Sequence, residues 1–225
     1  MMIAVAAAGE QGGGARELCS PVPCGNTNIS FPFGIIPEQA MKTSCGRPGF
    51  QVRCANSTPY LGYFRREHWF RIRDIFYNNA SLLVADVHKL QGLNVSVSGS
   101  EAEGLCHVPT NNTPAHLGLP FSISPANHNL IFYNCTKAPA AAVVAGEGLV
   151  ETRCGNSTFA RMGGRYDNES TSSYGGYFLE GCDAAVVPVL GTSGSGRTGA
   201  SRYEELIGDG FLLTWQLPPL SPSAG

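Results

Sequence analysis

Charge is what this sequence has least of. Asp, Glu, Lys and Arg make up 14% of its 225 residues, where an ordinary soluble domain carries about 25%. Coiled coils and charge-rich disordered chains depend on such residues and are excluded. No apolar run approaches the roughly 20 residues that span a bilayer as a helix, so the expectation is a chain without a membrane anchor. A basic excess is also missing. The formal net charge of −2 supplies no overall field for coating nucleic acid, and no nucleic-acid partner is expected.

Catalytic and metal-binding signatures are equally scarce. No two cysteines stand as C-x-x-C, the usual mark of zinc ribbons and thioredoxin-like sites. The nucleophile elbow G-x-S-x-G does not occur. His68, His88, His107, His116 and His128 show no H-E-x-x-H spacing and read as surface or loop histidines. The 17 acidic residues are scattered, with no pair that a strand would hold on one face as a glycosidase requires. Gly194, Gly196 and Gly199 do spell G-x-G-x-x-G. A dinucleotide fingerprint needs an acidic residue about 20 positions further on and a following strand, and that place is taken by Pro219. Pro188 within the preceding run would also suit an edge strand rather than a parallel centre. The match reads as a loop, and no catalytic residue, metal or cofactor is expected.

What the sequence has in abundance is glycine and proline, 43 together, well above the average share of about 12%. It also has an even set of eight cysteines: Cys19, Cys24, Cys45, Cys54, Cys106, Cys135, Cys154 and Cys182. Disulfides in an oxidising compartment are the better reading. The triplet N-x-[ST] occurs at Asn28, Asn56, Asn79, Asn94, Asn111, Asn134, Asn156 and Asn168, where chance predicts about two such triplets. Eight sequons point to the secretory route and place their surroundings at surface turns or strand ends. Met1 to Ala8, followed by Gly9-Glu10, resembles a clipped signal peptide without its basic start.

Short runs rich in β-branched and aromatic residues, bounded by Gly, Pro, Asn and Ser, predict strands at 50–54, 69–77, 81–87, 94–97, 130–135, 149–154, 184–190 and 211–215. The fold class expected is mostly β, with disulfide-bonded antiparallel sheets in two consecutive small subdomains and little helix. One helix is predicted, Ser201 to Ile207, with Ser201 as cap and Glu204 three residues on. Ala138–Ala145 and Gly191–Gly199 read as flexible. The cysteines fall into two groups of four, which suggests a signal-like leader at 1–18, domains at 19–99 and 104–217, and a Pro/Ser tail at 218–225. Within each group three pairings stay open.

One local charge imbalance stands out. From Lys42 to Asp74 there are seven basic residues, among them Arg65, Arg66, Arg71 and Arg73, against Glu67 and Asp74. Strand alternation along Trp69-Phe70-Arg71-Ile72-Arg73 puts Phe70 and Ile72 on one face and Trp69, Arg71 and Arg73 on the other. Guanidinium forks suit carboxylates, and an indole ring offers a sugar a stacking surface. Arg65, Arg66, Trp69, Arg71 and Arg73 are therefore the candidate ligand-binding residues. The plainer alternative is a solvated strand face with Trp69 capping the core.

The N-terminal pattern Cys19-x4-Cys24-Gly25-Asn26, Asn28-Ile29-Ser30-Phe31-Pro32-Phe33-Gly34-Ile35, Cys45-Gly46 and Phe50-Gln51-Val52-Arg53-Cys54 runs on to Arg71-Ile72-Arg73-Asp74-Ile75 and Ser81-Leu82-Leu83-Val84. It resembles the galacturonan-binding domain of plant wall-associated receptor kinases. The second half, with Phe132-Tyr133-Asn134-Cys135, Cys154, Tyr177 to Cys182, Val186 to Val189 and Gly210-Phe211-Leu212-Leu213-Thr214-Trp215, is similar to the associated C-terminal module, especially that of the leaf-rust-resistance type of receptor-like kinase. Gln216 to Gly225 departs from the family's cysteine-rich end, so anchoring and kinase activity are not carried over.

The resemblance implies a pectin-binding glycoprotein, secreted to the apoplast or cell wall, equivalent to a receptor ectodomain without its kinase and without enzymatic activity. Its expected partner is an acidic cell-wall polysaccharide, with a membrane receptor as a further partner. The alternatives are an extracellular module that binds a protein, such as an effector or a receptor partner, and a secreted glycosidase. Plasma-membrane attachment would require an anchor in a longer gene product.

Overall fold

The computed structural model of the chain describes residues 20–36, 45–64, 67–93, 106–110, 120–155, 157–167, 177–191 and 200–217, with the backbone alone at 62–64 and 67–69. Thirteen strands among these residues form three sheets. A small hairpin joins β1 (Val22–Cys24) to β2 (Thr27–Ile29). The main sheet has seven strands in the order β3-β4-β5-β6-β7-β13-β8. These are β3 (Gly34–Ile36), β4 (Gln51–Ala55), β5 (Thr58–Phe64), β6 (Glu67–Phe76), β7 (Ser81–Asp86), β8 (Phe121–Ile123) and β13 (Phe211–Trp215). All its neighbours are antiparallel except β3 and β4, which run parallel. Thus β8 and β13 reach the sheet from beyond the boundary placed at 99–104.

Local chemistry explains the tight places. Asn56 and Ser57 both have positive φ, 49° and 58°. That is the backbone a two-residue turn needs to match the twist of β4 and β5. The glycines of the Phe33-Gly34 and Cys45-Gly46 steps lie back to back. A Cβ on Gly34 would fall 2.0 Å from the Cys45 carbonyl oxygen, and one on Gly46 would fall 2.6 Å from the Gly34 nitrogen. Only glycine permits two backbones to approach so closely.

One face of the main sheet builds the first core from Phe33, Phe50, Val52, Leu61, Phe70, Ile72, Leu82, Val84, Phe121, Phe211, Leu213 and Trp215. Fully burying each of the larger side chains contributes about 1.5–3 kcal/mol. The aromatic rings meet edge to face, Phe33 on Phe50 at 5.2 Å and Phe50 on Phe121 at 5.2 Å between centroids.

The second sheet orders β10 (Val150–Glu151), β11 (Thr158–Arg165), β9 (His128–Cys135) and β12 (Cys182–Val189) as β10-β11-β9-β12, all antiparallel. β9 is buried on both faces, which is why it reads as an unbroken apolar run. Leu130 and Phe132 look one way, Ile131 and Tyr133 the other. Pro188 sits on the edge strand β12, as its missing N–H demands. Two short helices fill the space on the Leu130 side: α1 (Val87–Leu93) and α3 (Tyr203–Asp209), through Leu93, Tyr203, Leu206 and Ile207. Both also touch the main sheet, α1 at β6 and α3 at β7.

The expected helix is therefore present but shifted. α3 starts after Arg202 with no side-chain cap, and Glu204 is drawn into an ion pair with Arg153 instead. The stretch read as flexible at 138–145 contains α2 (Ala141–Gly146), because alanine is the best helix former. Of the strand expected at 149–154 only β10 forms, and residue 87 opens α1 instead of ending β7. The strand expected at 94–97 and the G-x-G-x-x-G glycines lie outside the described residues.

Disulfides join Cys24 to Cys54, Cys106 to Cys154 and Cys135 to Cys182. Each stays within one of the two sequence groups. Cys45 is also disulfide-bonded, and Cys19 lies outside the described residues.

Candidate functional site

The outward face of β6 forms one wall of a groove of about 740 Å³. Phe70 and Ile72 are buried at 3% and 2% exposure, while Arg71 and Arg73 are exposed. The alternation then breaks: Ile72 pairs with Val84 and Asp74 with Leu83 on β7, so Arg73 is the extra residue of a bulge. The sequence carries the same phase change, with apolar positions at 70, 72 and 75. The Asp74 carboxylate accepts the Ile75 N–H at 2.8 Å within the bulge.

The bulge sends Arg73 towards α3, where its Nη1 donates to the Gly208 carbonyl at 2.7 Å. That oxygen belongs to the last turn of the helix, where carbonyls lack intrahelical partners and a cation is favoured. Arg202, across the groove, pairs with Glu205. Arg71 makes no ion pair or hydrogen bond among the described residues, so it is the groove's available cation.

The floor holds a buried carboxylate. Asp86 is 5% exposed and accepts the backbone N–H groups of His88 and Lys89 at 3.1 Å each, capping α1 in the usual manner of aspartate. Burial pushes its pKa above the ordinary carboxylate value, against the pull of those N–H groups and of the Lys89 charge. Burial likewise lowers the pKa of Lys89, with the Asp86 charge opposing.

Strand register adds two residues that the sequence reading did not single out. Arg53 of β4 stands opposite Tyr60 of β5, and Tyr60 stands opposite Arg71 of β6. Directly opposed residues share a face. One step along, Val52, Leu61 and Phe70 make the matching row on the core side. The outward row thus reads Arg53, Tyr60, Arg71, ending on buried Ile36 of β3 and buried Ala85 of β7. No sequence-local signal links these three residues, since only the register of two hairpins brings them together.

Residues 19–86 match the family described as wall-associated receptor kinase galacturonan-binding. The matched stretch holds β1 to β7, with Arg53, Tyr60, Arg71 and Arg73. It stops at the end of β7, one strand short of β13, its partner in the sheet. No curated protein matches the chain, and no solved structure does.

Among the other expected site residues, Arg65 and Arg66 and the side chain of Trp69 lie outside the described residues. Asn28, Asn56, Asn79 and Asn134 are all exposed, as attachment of a glycan requires. Asn94, Asn111, Asn156 and Asn168 lie outside. Among the described residues no three His, Cys, Asp or Glu side chains converge as metal ligands.

Proposed function

We propose that the chain is an extracellular, N-glycosylated module that binds de-esterified pectin and catalyses no reaction, equivalent to a receptor-like kinase ectodomain. On this reading the segment 104–217 is the C-terminal module of such ectodomains. The observation that carries it is the family match over the same strands that present Arg71 outward. A polymer of galacturonic acid offers one carboxylate per ring, and guanidinium forks take carboxylates in bidentate geometry.

The test compares polygalacturonate with methyl-esterified pectin, whose carboxylates are neutralised. The de-esterified polymer should bind at low salt and weaken as ionic strength rises. Equal binding of the two polymers would contradict the reading and favour a protein ligand, whose apolar interface should respond little to salt.

A further inference from the structure

The groove between β6 and α3 presents opposite charges on its two walls. On the β6 wall Arg71 is exposed, and it makes no hydrogen bond or ion pair among the described residues. On the α3 wall Asp209 is exposed, and its carboxylate accepts no hydrogen bond among the described residues. Beside it, Glu205 takes both bonds of the Arg202 guanidinium on Oε2, which leaves Oε1 as an acceptor. Ala85, Val87 and Leu90 line the space between with apolar surface. The volume, about 740 Å³, falls within the range of small-ligand sites, roughly 300–1,000 Å³. At one point the walls are joined. Arg73 leaves β6 and its Nη1 donates to the Gly208 carbonyl of α3 at 2.7 Å, so a guanidinium crosses from wall to wall.

We propose that the groove takes a terminal ring of the acidic polysaccharide, with its carboxylate on Arg71 and its hydroxyl groups donating to Asp209 and Glu205. The assignment rests on the pectin reading above and adds to it which part of the polymer is held. A hexuronic acid has the shape for it. Its carboxylate leaves C5, the hydroxyl on C2 stands directly across the ring, and that on C3 lies beside it. Ionised carboxylates are acceptors only, and a hydroxyl that donates to one makes a charge-assisted bond. The C–H face of the ring covers the apolar residues between the walls.

Two features restrict the groove to a chain end. Successive rings of a 1,4-linked uronide turn about the chain axis, so a second ring in the groove would carry its carboxylate round from Arg71 towards Asp209 and Glu205. Like charges at that range repel, and Arg73 and Arg202 are already engaged. The Arg73 bridge also stands across the path of a polymer running through. A ring with one neighbour can enter and leave its chain outside, whereas a ring with two neighbours cannot.

Calorimetric titration of the full secreted chain with trigalacturonate and with de-esterified polygalacturonate of known chain length tests this. One protein should bind per sugar chain whatever its length, with the same affinity per chain. Asp209→Ala should weaken trimer binding about tenfold, the equivalent of one charge-assisted contact. If Asp209 only repels the polymer, the same substitution tightens binding instead. Circular dichroism shows whether the variant is folded. Several proteins on each long chain, polymer binding without trimer binding, or a folded Asp209→Ala that binds the trimer as tightly as the unmutated chain or more so, would each overturn the end-ring assignment and leave the pectin reading standing. An unmutated chain that binds neither trimer nor polymer overturns both.

Discussion

The ring of Phe33 stands edge-on to that of Trp215, with centroids 5.1 Å apart and planes at 87°. Phe33 belongs to the aromatic-Pro-Phe-Gly step of the galacturonan-binding match, and Trp215 closes β13 far outside it. Trp215 also meets Phe50 at 6.3 Å. The core of the matched segment is thus completed by residues from the other end of the described chain.

A fragment of residues 19–99 should therefore fail to fold cooperatively, since it lacks β13 and leaves the long β7 edge unpaired. In the full chain, Trp215→Ala should cost about 3–5 kcal/mol, the usual range for emptying a buried aromatic site. Chemical denaturation measures both. Cooperative unfolding of the fragment at nearly full stability would show that the N-terminal module is autonomous.

Arg71→Gln and Arg73→Gln should behave differently although the residues are near neighbours. The first should weaken polygalacturonate binding about tenfold or more, the equivalent of one charge-assisted contact of about 1.5–3 kcal/mol, and leave stability unchanged. The second also releases the Gly208 carbonyl at the end of α3 and should lower the melting temperature. Paired binding and melting curves separate the two roles. Identical profiles for both would refute the division.

Gly210 follows α3 with φ +90°, and a Cβ there would lie 2.2 Å from the Val84 carbonyl oxygen. Gly210→Ala must then strain the backbone and push β7 from β13, at a cost of about 2 kcal/mol or more. Thermal melting should register the loss. An unchanged midpoint would mean that the β7 contact yields freely.

Asp86 sets a pH dependence whose sign follows from its raised pKa. The folded state holds this proton more tightly than the unfolded chain. The resulting stabilisation is fully present below the unfolded value near 3.8, and it is lost as pH rises through the folded pKa. Asp86→Asn retains an oxygen to cap α1 and removes the titration, so its stability should vary less over that range. Asp86→Ala loses the cap and should cost about 1 kcal/mol at every pH. Stability measured from pH 3 to 7 in the three proteins decides the matter, and parallel curves for the unmutated chain and Asp86→Asn would exclude Asp86 as the group responsible.

Non-reducing peptide mapping should return Cys24 with Cys54, Cys106 with Cys154 and Cys135 with Cys182. Glycans should be found at Asn28, Asn56 and Asn79, while Asn134 should be under-occupied because its triplet contains Cys135, whose bridge competes in time with glycan transfer. Any bridge joining the two cysteine groups would contradict the pairing.

Strands with strong local character were legible in the sequence. β13 was expected with its observed limits, and β4, β6, β9 and β12 within a few residues, because β-branched and aromatic runs carry their own signal. The three-residue strands β1, β2, β3 and β8 were not, since so short a strand has no measurable period and exists only through its neighbours. α1 was missed because the apolar run at 81–87 reads as one strand that carries Asp86 and Val87 within it, and not as a strand ending on a cap. The site divides in the same way. Arg71 and Arg73 were visible in the alternation with Phe70 and Ile72, yet the engagement of Arg73 with α3 depends on a bulge and on a helix 135 residues away. Tyr60 could not be found from sequence spacing at all, because cross-strand neighbours are set by register.

The position of β13 between β7 and β8 also imposes a timetable on biosynthesis. At about 5–20 residues per second, the stretch between Asp86 and Phe211 takes roughly 6 to 25 s to emerge. During that interval β7 exposes a row of unpaired backbone groups flanked by Leu82 and Val84. On the secretory route proposed above, the newborn chain would need shielding until its last strand arrives, and the same delay would keep Asn28, Asn56 and Asn79 open to glycan transfer before the sheet closes.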